Sequence, residues 1–375
     1  MLGILHDWIF RLRGGEKVLK TILSLFRESK LFCFYFKKGV EKVFDDHFGS
    51  ASFLNQLPYN EKYYRLLLPL IPLAVKHLKS QINQCDSIIS ISHCAAKNVY
   101  SENLSNLCYC LSPFRAVYDL EELYARGDPV KKFVLRIFKR YDQAFDKAKV
   151  QFIAISEFVR ERIERAYEVK VLGTIYPPCE VEKIKVRDKS YTESQVYITG
   201  GALVENKNFD LVIKAFNKLK LKLYIFGDGP LKKHLISMSE PNIVFLGHLS
   251  DQELMDLFVS SKAFVFPSVE DFGITSVEYL ASGGPVIGLN FGGTKEICST
   301  PELQEFLIPY TSSKEDLVDQ IVEKVLEVEK LKLPKIDPKE IRQHSQKFST
   351  SRFVNEFKAL LYSINHSSIK YLKVP

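Results

Sequence analysis

Apolar positions along this chain of 375 residues fall into two alternating rhythms. Short runs that are apolar almost throughout read as buried strands: SIISIS (87–92), QFIAIS (151–156), VYITGG (196–201), LKLYIFG (221–227), IVFLG (243–247), AFVFP (263–267) and PVIG (285–288). Between them apolar residues return every three or four positions. Val18, Leu19, Ile22, Leu23 and Phe26 do so, as do Leu211, Val212, Ala215, Phe216 and Leu219, which is the period of a helix with one buried face. Ser250 and Glu253 have capping-box spacing and predict a helix over 251–260. A further helical period, set by Ile341, Phe348, Phe353, Phe357, Leu360 and Leu361, covers 338–364. Strand–helix alternation predicts an α/β protein with parallel sheets and ligands at the carboxyl ends of the strands.

The rhythm breaks once. VEKIKVRDKSYTESQ (181–195) is charged and aperiodic and follows the turn signal YPPCE. It divides the chain into an N-terminal domain, 1–180, and a C-terminal domain, 181–345, with a cleft expected between them. A C-terminal helix and tail would occupy 346–375, with SSIKYLKVP read as mobile. The longest apolar run, LLLPLIPLAV (66–75), is ten residues with two prolines, too short and broken to span a bilayer. The start, MLGILHDWIF, lacks the basic residues and cleavage site of a secretory signal. Seven scattered cysteines suggest reduced thiols and hence a cytoplasmic protein.

Charge adds one asymmetry. Residues 1–180 carry 27 Lys and Arg against 20 Asp and Glu, whereas 181–375 carry 25 of each, so the whole excess of +7 lies in the first half. The asymmetry suggests an anionic partner on that half, whether lipid head groups, a phosphorylated acceptor or nucleic acid, against the alternative of a mildly basic surface with no partner; the expectation is an anionic membrane surface. YNEKYYRLLLPLIPLAVKHLK (59–79) and KKFVLRIFKRY (131–141) mix basic with apolar and aromatic residues as interfacial segments do. The alternative for Leu66–Val75 is a core helix.

The densest chemistry lies in PSVEDFGITSVEYLASGGPVIGLNFGGTKE (267–296). Glu270 falls in a loop after a strand. Phe272, Gly273, Ile274 and Thr275 should open the next helix, with Glu278 one turn inside it. Free N–H groups at a helix start suit a diphosphate, and Gly273 admits close approach. The carboxylates would flank it, Glu270 on the sugar side and Glu278 accepting ribose hydroxyls. Lys207, after the strand ending at Gly200-Gly201, offers a point charge for the diphosphate. Gly14-Gly15 form an N–H-lined turn between a strand and a helix. No metal-ligand cluster is found in the sequence.

HDW…RGGEK near the start, SHCAAK (92–97), CYCLSPFR (108–115), FIAISEFV…IYPP (152–178), ALVENK (202–207), FGDGP (226–230), FLGHLSD (245–251) and EDFGITSVE (270–278) occur in order over residues 1 to about 360. Together they resemble the retaining GT-B glycosyltransferases of family 4, and more narrowly the mannosyltransferase-like branch that builds O-antigen and exopolysaccharide. The resemblance implies two Rossmann-like domains facing a central cleft, with a C-terminal helix crossing back. It implies transfer of a mannose-like hexose, with retention, from a nucleotide-diphosphate sugar, GDP ahead of UDP, to a glycan or polyprenyl-linked acceptor. Lys207 would bind the diphosphate, Glu270 the sugar and Glu278 the ribose. Phe272, Gly273, Ile274 and Thr275 would give backbone to the phosphates, and Gly14 and Gly15 would line the reaction centre. No cofactor, metal or nucleic acid is implied, and the location is cytoplasmic, peripheral on the membrane. Two residues depart from the pattern: Ala202 where an Arg is common, and Leu111 where the branch has a His reaching the donor sugar. A nucleotide-sugar epimerase, or a decayed transferase kept as a binding partner, are the alternatives.

Overall fold

The computed structural model describes residues 1–365 apart from 13, 45, 58–63, 102–104, 189 and 331–335. The start of the 59–79 segment and the tail after 365 therefore lie outside the described residues. The chain forms two compact units, one of Met1–Pro178 joined by the chain from Phe353 onward, the other of Cys179–Arg352.

The first unit holds seven strands: β1 (Leu2–Ile9), β2 (Lys30–Phe36), β3 (Phe48–Ala51), β4 (Ser87–Ser92), β5 (Ser105–Cys110), β6 (Val150–Ala154) and β7 (Val171–Thr174). They pair in parallel in the order β3-β2-β1-β4-β5-β6-β7. The second unit holds β8 (Val196–Ala202), β9 (Lys222–Asp228), β10 (Ile243–Gly247), β11 (Phe264–Phe266), β12 (Val286–Leu289) and β13 (Leu307–Ile308). These are also parallel, in the order β10-β9-β8-β11-β12-β13. In each sheet the chain winds outward from its first strand and then returns to that strand's other side. The strand order reverses between β1 and β4 and between β8 and β11. Open parallel sheets bind ligands at these two points, beyond the carboxyl ends of the strands.

Burial explains the strand sequences. β4, SIISIS, is buried along its whole length. β1, LGILHDWI, is buried from Gly3 onward, His6 and Asp7 included. The apolar residues of the 66–78 region go inward: Leu68, Ile71, Ala74, Val75 and Leu78 belong to the core against the first sheet, leaving Leu73 exposed. That segment packs as a core element, and its apolar face is not available to an interface.

The aperiodic stretch after residue 180 is anchored to the second unit. Arg187 is buried, and its guanidinium donates to the carbonyls of Ser261 (2.8 Å), Phe258 (2.7 Å) and Ser282 (3.3 Å). These carbonyls lie at the carboxyl ends of the helices Asp251–Ser260 and Ile274–Ala281, where orphan acceptors and the negative end of the dipole favour a cation. The helical period over 338–364 is interrupted. Helices Pro338–Ser345 and Thr350–Asn365 flank a short 3-10 turn, Gln346–Phe348. The backbone there bonds outward: Cys179 N–H donates to Phe348 O (2.9 Å) and Thr350 N–H to Cys179 O (3.0 Å). Beyond it Phe353 and Phe357 pack edge-on against Tyr109 of β5, with centroids 5.7 and 6.2 Å away. The fully buried Tyr109 hydroxyl donates to Ile175 O at 2.8 Å.

Candidate functional site

At the switch point of the second unit, two loops are fastened together. The loop after β8 starts where glycine lets two strand ends touch through their backbones. A Cβ on Gly227 (φ +100°) would lie 1.9 Å from Gly201 O. The loop passes through the short turn Glu205–Lys207 and ends at Asn208, held in the left-handed region (φ 58°). Asn208 Nδ2 donates to Pro267 O at 2.7 Å, and Ser268 Oγ lies 3.0 Å from Asn206 O. Pro267 and Ser268 open the loop after β11, so these bonds bring Lys207 to Glu270. Lys207 Nζ and Glu270 Oε1 form an ion pair, and Ser268 Oγ lies 3.0 Å from the same carboxylate oxygen. The pair is mostly withdrawn from water, Lys207 being 20% and Glu270 13% exposed. Lys207 Nζ also stands 5.3 Å from the centre of the Phe266 ring.

The Glu270 loop runs straight into a helix start. Glu270 O accepts the Gly293 N–H at 2.9 Å. Gly273 (φ +110°) caps the helix Ile274–Ala281 without any side-chain cap. The amides of Ile274 and Thr275 thus lack an intrahelical acceptor. Ser276 Oγ is buried with no hydrogen-bond partner and lies 3.6 Å from where a Gly273 Cβ would stand. An orphan hydroxyl and two free amides at a helix start present donors to an anion. Glu278 follows on the same helix, half-buried. The helix opens at Ile274, two residues later than the sequence suggests. Phe272 is buried, its ring edge-on to Phe348 at 5.6 Å, and so offers only backbone.

The first unit carries its own cluster at its switch point. Asp7 is fully buried at the end of β1. Its carboxylate accepts the N–H groups of His93 (2.6 Å), Cys94 (2.9 Å), Ala95 (2.7 Å) and Ala96 (2.7 Å). Burial works against that charge, but the neighbouring His93 imidazole and these amides hold the carboxyl below its usual range. His6 is buried, with Nδ1 on Ile91 O at 2.8 Å and Nε2 without a partner. Burial lowers its pKa, so the imidazole stays neutral with its proton on Nδ1. Gly14 and Gly15 open the helix Gly14–Leu25. A Cβ on Gly15 would lie 2.9 Å from Leu111 Cδ1 and 3.8 Å from His6 Cε1. Leu111 therefore lays an apolar side chain over the glycine turn, beside the His6 imidazole, whose Nε2 has no partner.

Asn208, Ser268, Ser276 and Asp7 were not singled out from sequence. Asn208 had a legible signal, an Asn between a Lys and a helical period, since Asn tolerates the left-handed conformation. Ser268, Ser276 and Asp7 acquire meaning only through contacts across loops.

Two parallel-sheet units with switch-point loops of this kind define the GT-B type of fold, and solved structures agree. The chain superposes on sucrose-phosphate synthase from Thermosynechococcus elongatus with a TM-score of 0.74, covering 98% of this chain and 100% of that one at 14% identity. For Anabaena HepE in complex with UDP the TM-score is 0.69, covering 97% and 100% at 17% identity. More narrowly, residues 180–339 match the family described as "Glycosyl transferases group 1". Among curated relatives, mannosylfructose-phosphate synthase from Agrobacterium fabrum is 29% identical over 161 residues, 38% of this chain and 35% of that protein. The O-antigen chain mannosyltransferase C of Escherichia coli is 28% identical over 121 residues, 30% of this chain and 33% of that protein. The chain spans between about a third and less than half of the curated relatives it matches most strongly.

Proposed function

We propose that this chain transfers a mannose-like hexosyl group, with retention, from a nucleotide-diphosphate sugar to a glycan or polyprenyl-linked acceptor. The observation that carries the reading is the Lys207–Glu270 pair set beside the uncapped start of the helix Ile274–Ala281. The amides of Ile274 and Thr275, with Lys207 Nζ, would hold the diphosphate, Glu270 would face the sugar and Glu278 the ribose. In the step, the bond from the sugar's anomeric carbon to the diphosphate oxygen breaks. The acceptor oxygen bonds the same carbon from the same face, and its proton passes to the departing phosphate oxygen. The products are the nucleoside diphosphate and a glycoside. Lys207 and the helix start stabilise the charge that gathers on the leaving group. A Mus musculus relative whose name specifies GDP-Man, 31% identical over 147 residues, supports a GDP-sugar, while HepE with bound UDP supports a UDP-sugar.

Glu278→Ala tests the nucleotide side. Losing ribose hydrogen bonds to a charged acceptor should weaken nucleotide binding by about 1.5–3 kcal/mol, roughly 10- to 150-fold in Kd. Titration of the folded variant with GDP and UDP measures it, and an unchanged Kd removes Glu278 from the site.

The acceptor side of the proposal includes docking on an anionic membrane surface. No described helix is long and apolar enough to cross a membrane. The helix Pro129–Gln143 buries Leu135, Phe138 and Asp142, yet its opposite side exposes Val130 (68%), Phe133 (65%) and Ile137 (51%) in an i, i+3, i+7 stripe. Lys131, Arg136 and Arg140 are exposed on the same helix. An apolar stripe edged by basic residues suits the headgroup boundary. Flotation with vesicles containing phosphatidylglycerol should show binding at low salt that fades at high salt and in a Phe133→Ser/Ile137→Ser variant. Failure to float with anionic vesicles at low salt rejects docking.

A further inference from the structure

Beyond Glu270, the carboxyl edge of the second sheet carries an aromatic pair, Phe291 and Tyr310, to which the donor proposal assigns no role. Phe291 follows β12 and Tyr310 follows β13. Their rings stack with centroids 4.5 Å apart and planes 25° from parallel. Stacking covers one side of Tyr310, yet the residue remains 53% exposed. The pair is held firmly by backbone. Asn290 N–H donates to Ile308 O at 2.8 Å, joining the two loops, and Gly293, two residues after Phe291, donates to Glu270 O at 2.9 Å.

Strand order fixes what lies beside what. Along β8-β11-β12-β13 the loops at the carboxyl edge carry, in turn, Lys207, Glu270, Phe291 and Tyr310. A diphosphate at Lys207 and a sugar at Glu270 leave the aromatic pair one position farther along the same edge. The exposed face of an aromatic ring carries partial negative charge and a flat apolar area. One face of a pyranose presents a row of weakly positive C–H groups, and the two match. A diphosphate or a nucleotide phosphate would find no cation here and only the single Tyr310 hydroxyl as a side-chain donor.

We propose that Phe291 and Tyr310 form a stacking platform for a pyranose ring of the acceptor, a carbohydrate subsite next to the donor sugar. The platform requires an acceptor with a sugar at its reacting end. The inference rests on the donor reading only for the label "acceptor"; carbohydrate binding by the pair stands apart from it.

The test uses the full chain with saturating GDP or UDP on immobilised oligosaccharides ending in mannose, glucose, galactose or N-acetylglucosamine. Wild type should retain a subset of these glycans. Tyr310→Phe should retain the same subset, because the ring and not the hydroxyl does the stacking. Tyr310→Ala should bind them about 2- to 10-fold more weakly. Nucleotide-induced rise in melting temperature should be equal in all three proteins. Equal glycan binding by Tyr310→Ala and wild type overturns the proposal, as does a wild type that retains none of the glycans. Failure of the donor reading shows in the other arm, as absence of any nucleotide-induced stabilisation, whatever the glycans do.

Discussion

Lys207→Ala should lower kcat/KM for the nucleotide-sugar by roughly 100- to 3,000-fold, the largest kinetic effect expected of any single change in this chain. Two losses combine. A charge-assisted hydrogen bond to the diphosphate is worth about 1.5–3 kcal/mol. In addition Glu270, whose carboxylate is paired with Lys207 and mostly withdrawn from water, is left facing the phosphates with the Ser268 hydroxyl beside it. Like charges at close range near a protein surface add on the order of 1–2 kcal/mol after solvent screening. Glu270→Gln alone should behave differently: it keeps shape and leaves Lys207 free for the diphosphate, so turnover should fall more than donor affinity. The decisive variant is the double one. Because part of the Lys207→Ala loss comes from the stranded carboxylate, Lys207→Ala/Glu270→Gln should recover activity relative to Lys207→Ala, with a coupling of about 0.5–3 kcal/mol. Strictly additive losses in steady-state kinetics would falsify the view that the two residues work as one unit.

Gly293→Ala should be strongly destabilising to the second unit. A Cβ there would lie 2.1 Å from Phe272 O and 2.4 Å from Phe272 Cα, both backbone atoms that cannot rotate away. The 270–273 loop has to lift, and the Gly293 N–H bond to Glu270 O is lost with it. We expect a cost of about 2–4 kcal/mol and a fall in melting temperature of roughly 5–15 °C. Gly173→Ala is the control, since a Cβ at Gly173 meets nothing within 4 Å and φ is not positive there. Its melting temperature should stay within about 2 °C of wild type. Calorimetry of both variants decides the matter, and similar melting points would mean that the loop yields freely.

The same contacts show why some of this structure can be read from sequence and some cannot. β4, β6, β8, β9, β11 and β12 are largely apolar runs with buried residues on both faces, and β10, at a sheet edge with Val244 exposed, is still apolar along its length, so composition alone marks them. β3, β7 and β13 are two to four residues long and lie at sheet edges, where little burial constrains the side chains. The break at 346–349 is invisible to periodicity, because it is set by hydrogen bonds to Cys179, far away in sequence. Lys207, Glu270, Gly273 and Glu278 stand out as residue types in a spacing, and that spacing carries the loop–helix geometry. The pairing of Lys207 with Glu270 could not be read, since it depends on Asn208 and Ser268 binding two loops across the sheet. Arg187, in a stretch that looks like a plain linker, shows the opposite failure: a long cation in a polar segment gives no hint that helix-end carbonyls wait for it.

The helix Thr350–Asn365 has a consequence for how the protein is made. Tyr109 is wholly enclosed, and two of the rings enclosing it, Phe353 and Phe357, come from this helix. The unit that leaves the ribosome first therefore lacks part of its interior until the far end of the chain has been synthesised. At about 5–20 residues per second, the stretch between Pro178 and Phe353 takes roughly 10–35 s to translate. Through that interval the nascent N-terminal unit has an aromatic pocket open to solvent, while the second unit, complete by Arg352, has all its parts. Order of synthesis and order of completion run in opposite directions, and a ribosome stalled between the two domains would hold an unfinished first domain, prone to capture by chaperones.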